Sequence, residues 1–96
     1  MTRLEVRMAW YDQYVAHYVG VQGGMAVIAG TRTPVLSIIA KYDLAGGDIQ
    51  DVVTALPHLD TVQVDAALAY AKAHPEEMAA EEAHQERALL ELLVTR

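Results

Sequence analysis

What most constrains this chain is its punctuation. Thr33-Pro34, Gly46-Gly47-Asp48, Pro57, Asp60-Thr61 and Pro75 divide residues 33–94 into four segments, each too short for more than one element. Thr33 reads as an N-cap with Pro34 at the first helical position, where its missing N–H costs nothing. Val35, Ile38, Ile39 and Tyr42 then form an i, i+3, i+4, i+7 stripe, and Gly46-Gly47 stops that helix. Asp48 caps a second helix with Ile49, Val52, Val53 and Leu56 on one side, ending before Pro57. It spans barely two turns and depends on its neighbours for stability. Asp60 or Thr61 opens a third, with Val64, Ala67, Leu68 and Ala71 inward, until Pro75 interrupts it.

A fourth helix is predicted from Glu76 to Val94, with Glu76 and Glu77 at the positive end of its dipole. Ala79, Ala83, Glu86, Leu90 and Leu93 recur at spacings of four and three, so one seam is nearly apolar. Ahead of the helices, residues 3–10 alternate apolar and polar and read as a half-buried strand. Tyr11, Tyr14, Val15 and Tyr18 follow a helical spacing, leaving 11–19 open between strand and helical turn. Val27-Ile28 reads as a short strand or hairpin leading into the first helix. The expected fold is therefore mainly α: a helix-turn-helix-like three-helix core, a small N-terminal β element and a C-terminal helix. Residues 1–74 form the domain and 75–96 an acidic amphipathic helix.

Composition narrows the function. At 96 residues there is room for one domain and a thin core. Cysteine is absent, which excludes a disulfide scaffold, a zinc ribbon and a thiol nucleophile. A hydrophobic content of 53% is high for so small a chain, so we expect a homodimer that hides part of that surface. The net charge of −6 opposes phosphate backbones, and the last 22 residues carry −4 of it. No apolar run approaches a membrane span and no signal peptide develops, so a cytoplasmic location is expected.

Gly23-Gly24-Met25-Ala26-Val27-Ile28-Ala29-Gly30-Thr31-Arg32-Thr33-Pro34-Val35 resembles the opening signature of the family catalogued as domain of unknown function 433. Pro57-His58-Leu59 and Ala66-Ala67-Leu68-Ala69-Tyr70-Ala71 continue the likeness, which covers roughly residues 20–72. Two positions depart from the family pattern. Met25-Ala26 stands where a basic residue and a proline are usual, which is expected to loosen the strand entry. Thr33 stands where an aliphatic residue is usual, which is expected to improve the helix cap. The resemblance implies a compact, commonly self-associating helix-turn-helix-like domain, and a role as an antitoxin beside a small PIN-like ribonuclease toxin.

Each candidate site has a plainer role beside the functional one. Gly30-Thr31-Arg32 fits a positive-φ turn with Arg32 tied to an Asp or a helix end, or else a phosphate contact by Arg32. For a DNA reader the contacts would be Arg32, Gln50 and Lys72, yet Asp48 and Asp51 flank Gln50 and neither helix has a basic face. Glu81 and His84 share a helical face at the spacing of di-iron bundles, but the expected inward positions of the other helices are aliphatic. That pair reads as a solvated face, and no metal or cofactor is expected. His58 is expected to cap or pack on the third helix, while His17 and His74 lack an obvious partner. No nucleophile–base pair is evident, so no enzymatic activity is expected. The C-terminal helix either packs on its own domain or a symmetry mate, or clamps a basic partner through Glu82, Glu86, Leu89, Leu90 and Leu93. The leading expectation is a non-catalytic antitoxin that covers a toxin, with weak DNA contact in the complex. An autonomous transcriptional regulator and a purely structural homodimer are the alternatives.

Overall fold

The computed structural model describes residues 9–94. Within them the chain runs through β1 (Val15–Ala16), β2 (Val27–Ile28), α1 (Val35–Leu44), α2 (Ile49–Ala55), α3 (Thr61–Ala73) and α4 (Pro75–Val94). The mainly helical architecture with a two-stranded antiparallel sheet is as expected. The predicted strand over 3–10 lies outside the described residues up to residue 8. Its last residue differs: Trp10 opens a 3-10 helix, Trp10–Tyr14, held by Asp12 Oδ2 accepting the Ala9 N–H at 2.8 Å. The open segment 11–19 thus divides, helical to Tyr14 and extended at Val15–Ala16. Tyr11 decides the helical part by setting its ring edge-on to Tyr70, with centroids 6.2 Å apart.

β2 is covered along both edges. Val15 pairs with Ile28 and Ala16 with Val27 on one side. On the other, the Ile28 N–H donates to the Thr33 carbonyl at 2.9 Å, and the Val35 N–H to the Ala26 carbonyl at 2.9 Å. The turn between them needs Gly30, whose φ is +79°. This pairing corrects the predicted helix start. Pro34, with φ −65° and ψ 143°, is the residue flanking α1, and no side chain caps it. Thr33 is held extended against β2, so its hydroxyl points elsewhere, to His58 Nε2 at 2.7 Å. His58 accordingly reaches back to the entry of α1 instead of serving α3.

The other boundaries follow local chemistry. Gly46, at φ +67°, lets its N–H reach the Asp43 carbonyl while the Gly47 N–H reaches that of Tyr42, closing α1 in a Schellman turn. Asp48 accepts the Gln50 N–H at 2.9 Å and starts α2. Asp60 and Gln63 form a reciprocal capping box, both bonds 2.8 Å, which places the start of α3 at Thr61. Ala26, Ile28, Val35, Ile38, Val52, Val64 and Ala67 form the fully buried core, joined by Leu59, Tyr70 and Met78. Leu68 and Ala71, predicted inward, are half-buried, while Ala66 and Tyr70 of the same helix are buried. Met25 and Ala26 are buried too, so the departure from the family pattern there leaves the strand entry tightly packed.

A carboxylate cluster at the root of the last helix and an exposed apolar seam beyond it

α4 packs with the side opposite to the one its apolar spacing suggests. Ala79, Ala83, Glu86, Leu90 and Leu93, the predicted seam, are all exposed. The side turned to the body carries Glu77, Met78 and Glu81. The reason lies in what the body offers there. Beside the apolar patch that takes Met78, it presents two hydrogen-bond donors that leucines could not satisfy. The Ala26 N–H donates to Glu81 Oε2 at 3.0 Å, and the Tyr70 O–H donates to the Glu77 carboxylate, 2.6 Å from Oε2 and 2.8 Å from Oε1. A proline at position 26, usual in the resembling family, has no N–H to give. The contact to Glu81 is available because this chain carries Ala26.

Around these bonds a polar cluster assembles. His17, which follows β1, brings Nε2 to 3.4 Å from Glu77 Oε1. Tyr70 lies under His17 on one side and stacks on His74 on the other, with the second pair of rings 4.3 Å apart. Burial, then the hydrogen bond and charge of Glu77, hold the Tyr70 hydroxyl above its ordinary pKa, so it stays a donor. Burial also raises the Glu81 carboxyl and Glu77 adds to it, while the Ala26 N–H and His17 pull the other way. Glu81 Oε1 is shielded from solvent and accepts no hydrogen bond. Glu81 and His84 line a cleft of about 240 Å³ with Gly23, Gly24 and Met25. The reading of Glu81 as part of a solvated face is therefore corrected. The neighbours of Glu81 are Ala26, Glu77 and His17, and the first and last of these are distant in sequence.

Beyond residue 85 the helix is exposed, with no other described residue burying its seam. Glu82 lines a shallow cleft between α1 and α4 with Leu36 and Ile39. Glu86, Leu89, Leu90 and Leu93 follow on the same side of the helix, and the three leucines are 59–62% exposed. The structure thus brings all five predicted partner residues onto one face. Arg32, Gln50 and Lys72 come from three separate elements. They stand exposed on the β2–α1 turn, the first turn of α2 and the last turn of α3. No ion pair ties Arg32 to another described residue. Asp48 and Asp51 are exposed on either side of Gln50, so the α2 surface is acidic.

Among the described residues, no helix is long and apolar enough to cross a membrane. No curated protein matches the chain. Among solved structures, it is similar to a DUF433 member protein from Anabaena variabilis ATCC 29413. The two share 30% identity and a TM-score of 0.64, over 75% of this chain and 70% of the other. The family described as Protein of unknown function (DUF433) matches residues 16–71.

Proposed function

This chain belongs to the DUF433 family, and from that premise we propose that it is a non-catalytic, cytoplasmic interaction protein of antitoxin type. Its exposed α4 seam docks on a basic, RNA-cleaving partner of the PIN-like class. One observation carries the reading: α4 turns Glu77, Met78 and Glu81 inward and leaves Ala79, Ala83, Leu89, Leu90 and Leu93 exposed. A helix that spends its apolar face on solvent loses the burial that would stabilise it, about 1.5–3 kcal/mol for each leucine fully covered. A partner groove recovers that burial on binding. Glu82 and Glu86 border the seam with negative charge, which suits a protein whose own substrate is a phosphate polymer. A homodimer of the core is part of the proposal, and sedimentation equilibrium of the free protein tests it. We assign no DNA contact to Arg32, Gln50 or Lys72, because the surface around Gln50 would meet phosphates with aspartates.

The experiment is co-expression with the product of the adjacent open reading frame and purification through this chain. A stoichiometric complex that suppresses RNA cleavage is expected. The double substitution Leu90→Glu, Leu93→Glu is expected to abolish the complex while circular dichroism and the melting temperature stay within error. Purification of this chain alone, or a complex indifferent to both substitutions, overturns the reading.

A further inference from the structure

The polar cluster at the root of α4 has the composition of a metal site, and we infer that His17, Glu77 and Glu81 bind one divalent cation of the zinc class. Each contributes one ligand atom, and those three atoms lie within 4.8 Å of one another. The His17 Nε2 to Glu77 Oε1 distance of 3.4 Å is close to the roughly 3.3 Å that separates two ligands on one tetrahedral ion with bonds of about 2.0–2.1 Å. The His17 side chain is 45% exposed, so its ring is free to close the remaining gap.

A second, independent observation points to a ligand. Glu81 Oε1 is out of contact with solvent and has no donor among the described residues, while its sister oxygen is held by the Ala26 N–H. A shielded carboxylate oxygen without a partner is costly, and a cation beside it removes that cost. The supporting shell is already in place. The Tyr70 O–H orients Glu77 and the Ala26 N–H orients Glu81, as outer partners do for metal-bound carboxylates. One imidazole with two carboxylates favours Zn²⁺ over Mg²⁺ or Ca²⁺, which take oxygen ligands and gain nothing from His17. The ion would bridge the segment after β1 to α4. This inference does not rest on the partner reading above.

The full chain, stripped with a chelator, is titrated with Zn²⁺ by calorimetry and melted with and without the metal. One equivalent should bind and raise the melting temperature by several degrees, while Mg²⁺ and Ca²⁺ leave both readings unchanged. His17→Ala and Glu81→Gln should each weaken binding by at least the roughly 10–100-fold that loss of an outer partner costs, since each removes a direct ligand. His58→Ala, at the histidine bonded to Thr33, should leave it intact. Should Glu81→Gln fail to fold, His17→Ala decides alone, because its half-exposed side chain is not part of the core. Absence of one-to-one binding, or binding left unweakened by loss of His17, overturns the assignment.

Discussion

Replacing Tyr70 by Phe removes one oxygen and leaves the rest of a core side chain in place. The ring keeps its edge contact to Tyr11 at 6.2 Å and its stack on His74 at 4.3 Å. What disappears is the donor to Glu77, 2.6 and 2.8 Å from the two carboxylate oxygens. A hydrogen bond to a charged group contributes about 1.5–3 kcal/mol. The Glu77 side chain is 32% exposed, so water replaces part of the lost donor, which moves the expectation to about 1–1.5 kcal/mol. For a domain of this size that is a fall in melting temperature of roughly 4–10 °C. Urea titration in the presence of a chelator measures it without interference from metal. Glu77→Ala and the double variant complete a cycle, in which about 1 kcal/mol should appear as coupling between the two positions. A Tyr70→Phe protein within about 0.3 kcal/mol of the parent, or a cycle without coupling, would refute the claim that this bond fastens α4 to the body.

Ile38 is fully buried, so Ile38→Ala should cost about 2–5 kcal/mol, a large share of the total for so small a domain, and calorimetry should show a much lower and broader transition. Asp60→Ala removes the cap of α3 and half of its capping box, and the urea midpoint should fall by the equivalent of about 1 kcal/mol. Gly30→Ala meets no neighbouring atom but must hold φ at +79°, so its cost of about 1–2 kcal/mol should show in thermal melts with no change in the folded spectrum.

How much of this was legible beforehand depended on how far each interaction reached along the chain. Asp48 and Asp60 satisfy N–H groups two and three residues away, and both helix starts could be read from the sequence. Thr33 has the same chemistry, yet β2, paired with residues 33–35, claimed its backbone and a histidine 25 residues on took its hydroxyl. The fourth helix shows the same division. Its length and its apolar seam followed from spacing, but the side that packs was chosen by the Tyr70 O–H and the Ala26 N–H, neither of which spacing reveals. The cluster of His17, Glu77 and Glu81 was hidden for that reason, and the orphaned Glu81 oxygen has no sequence signal at all. That Glu82, Glu86, Leu89, Leu90 and Leu93 share one face was legible because they lie on one helix, where periodicity alone sets which side residues share.

The Ala26–Glu81 bond also has a consequence for the order of events during synthesis, since it joins residues 55 positions apart. Ala26 is made well before Glu81, so its N–H depends on water until α4 follows and brings the carboxylate. Closing so long a loop comes late and slowly compared with the local contacts among the first three helices. Docking of Glu81 shields the Ala26 N–H, and the same placement of α4 leaves its leucines exposed.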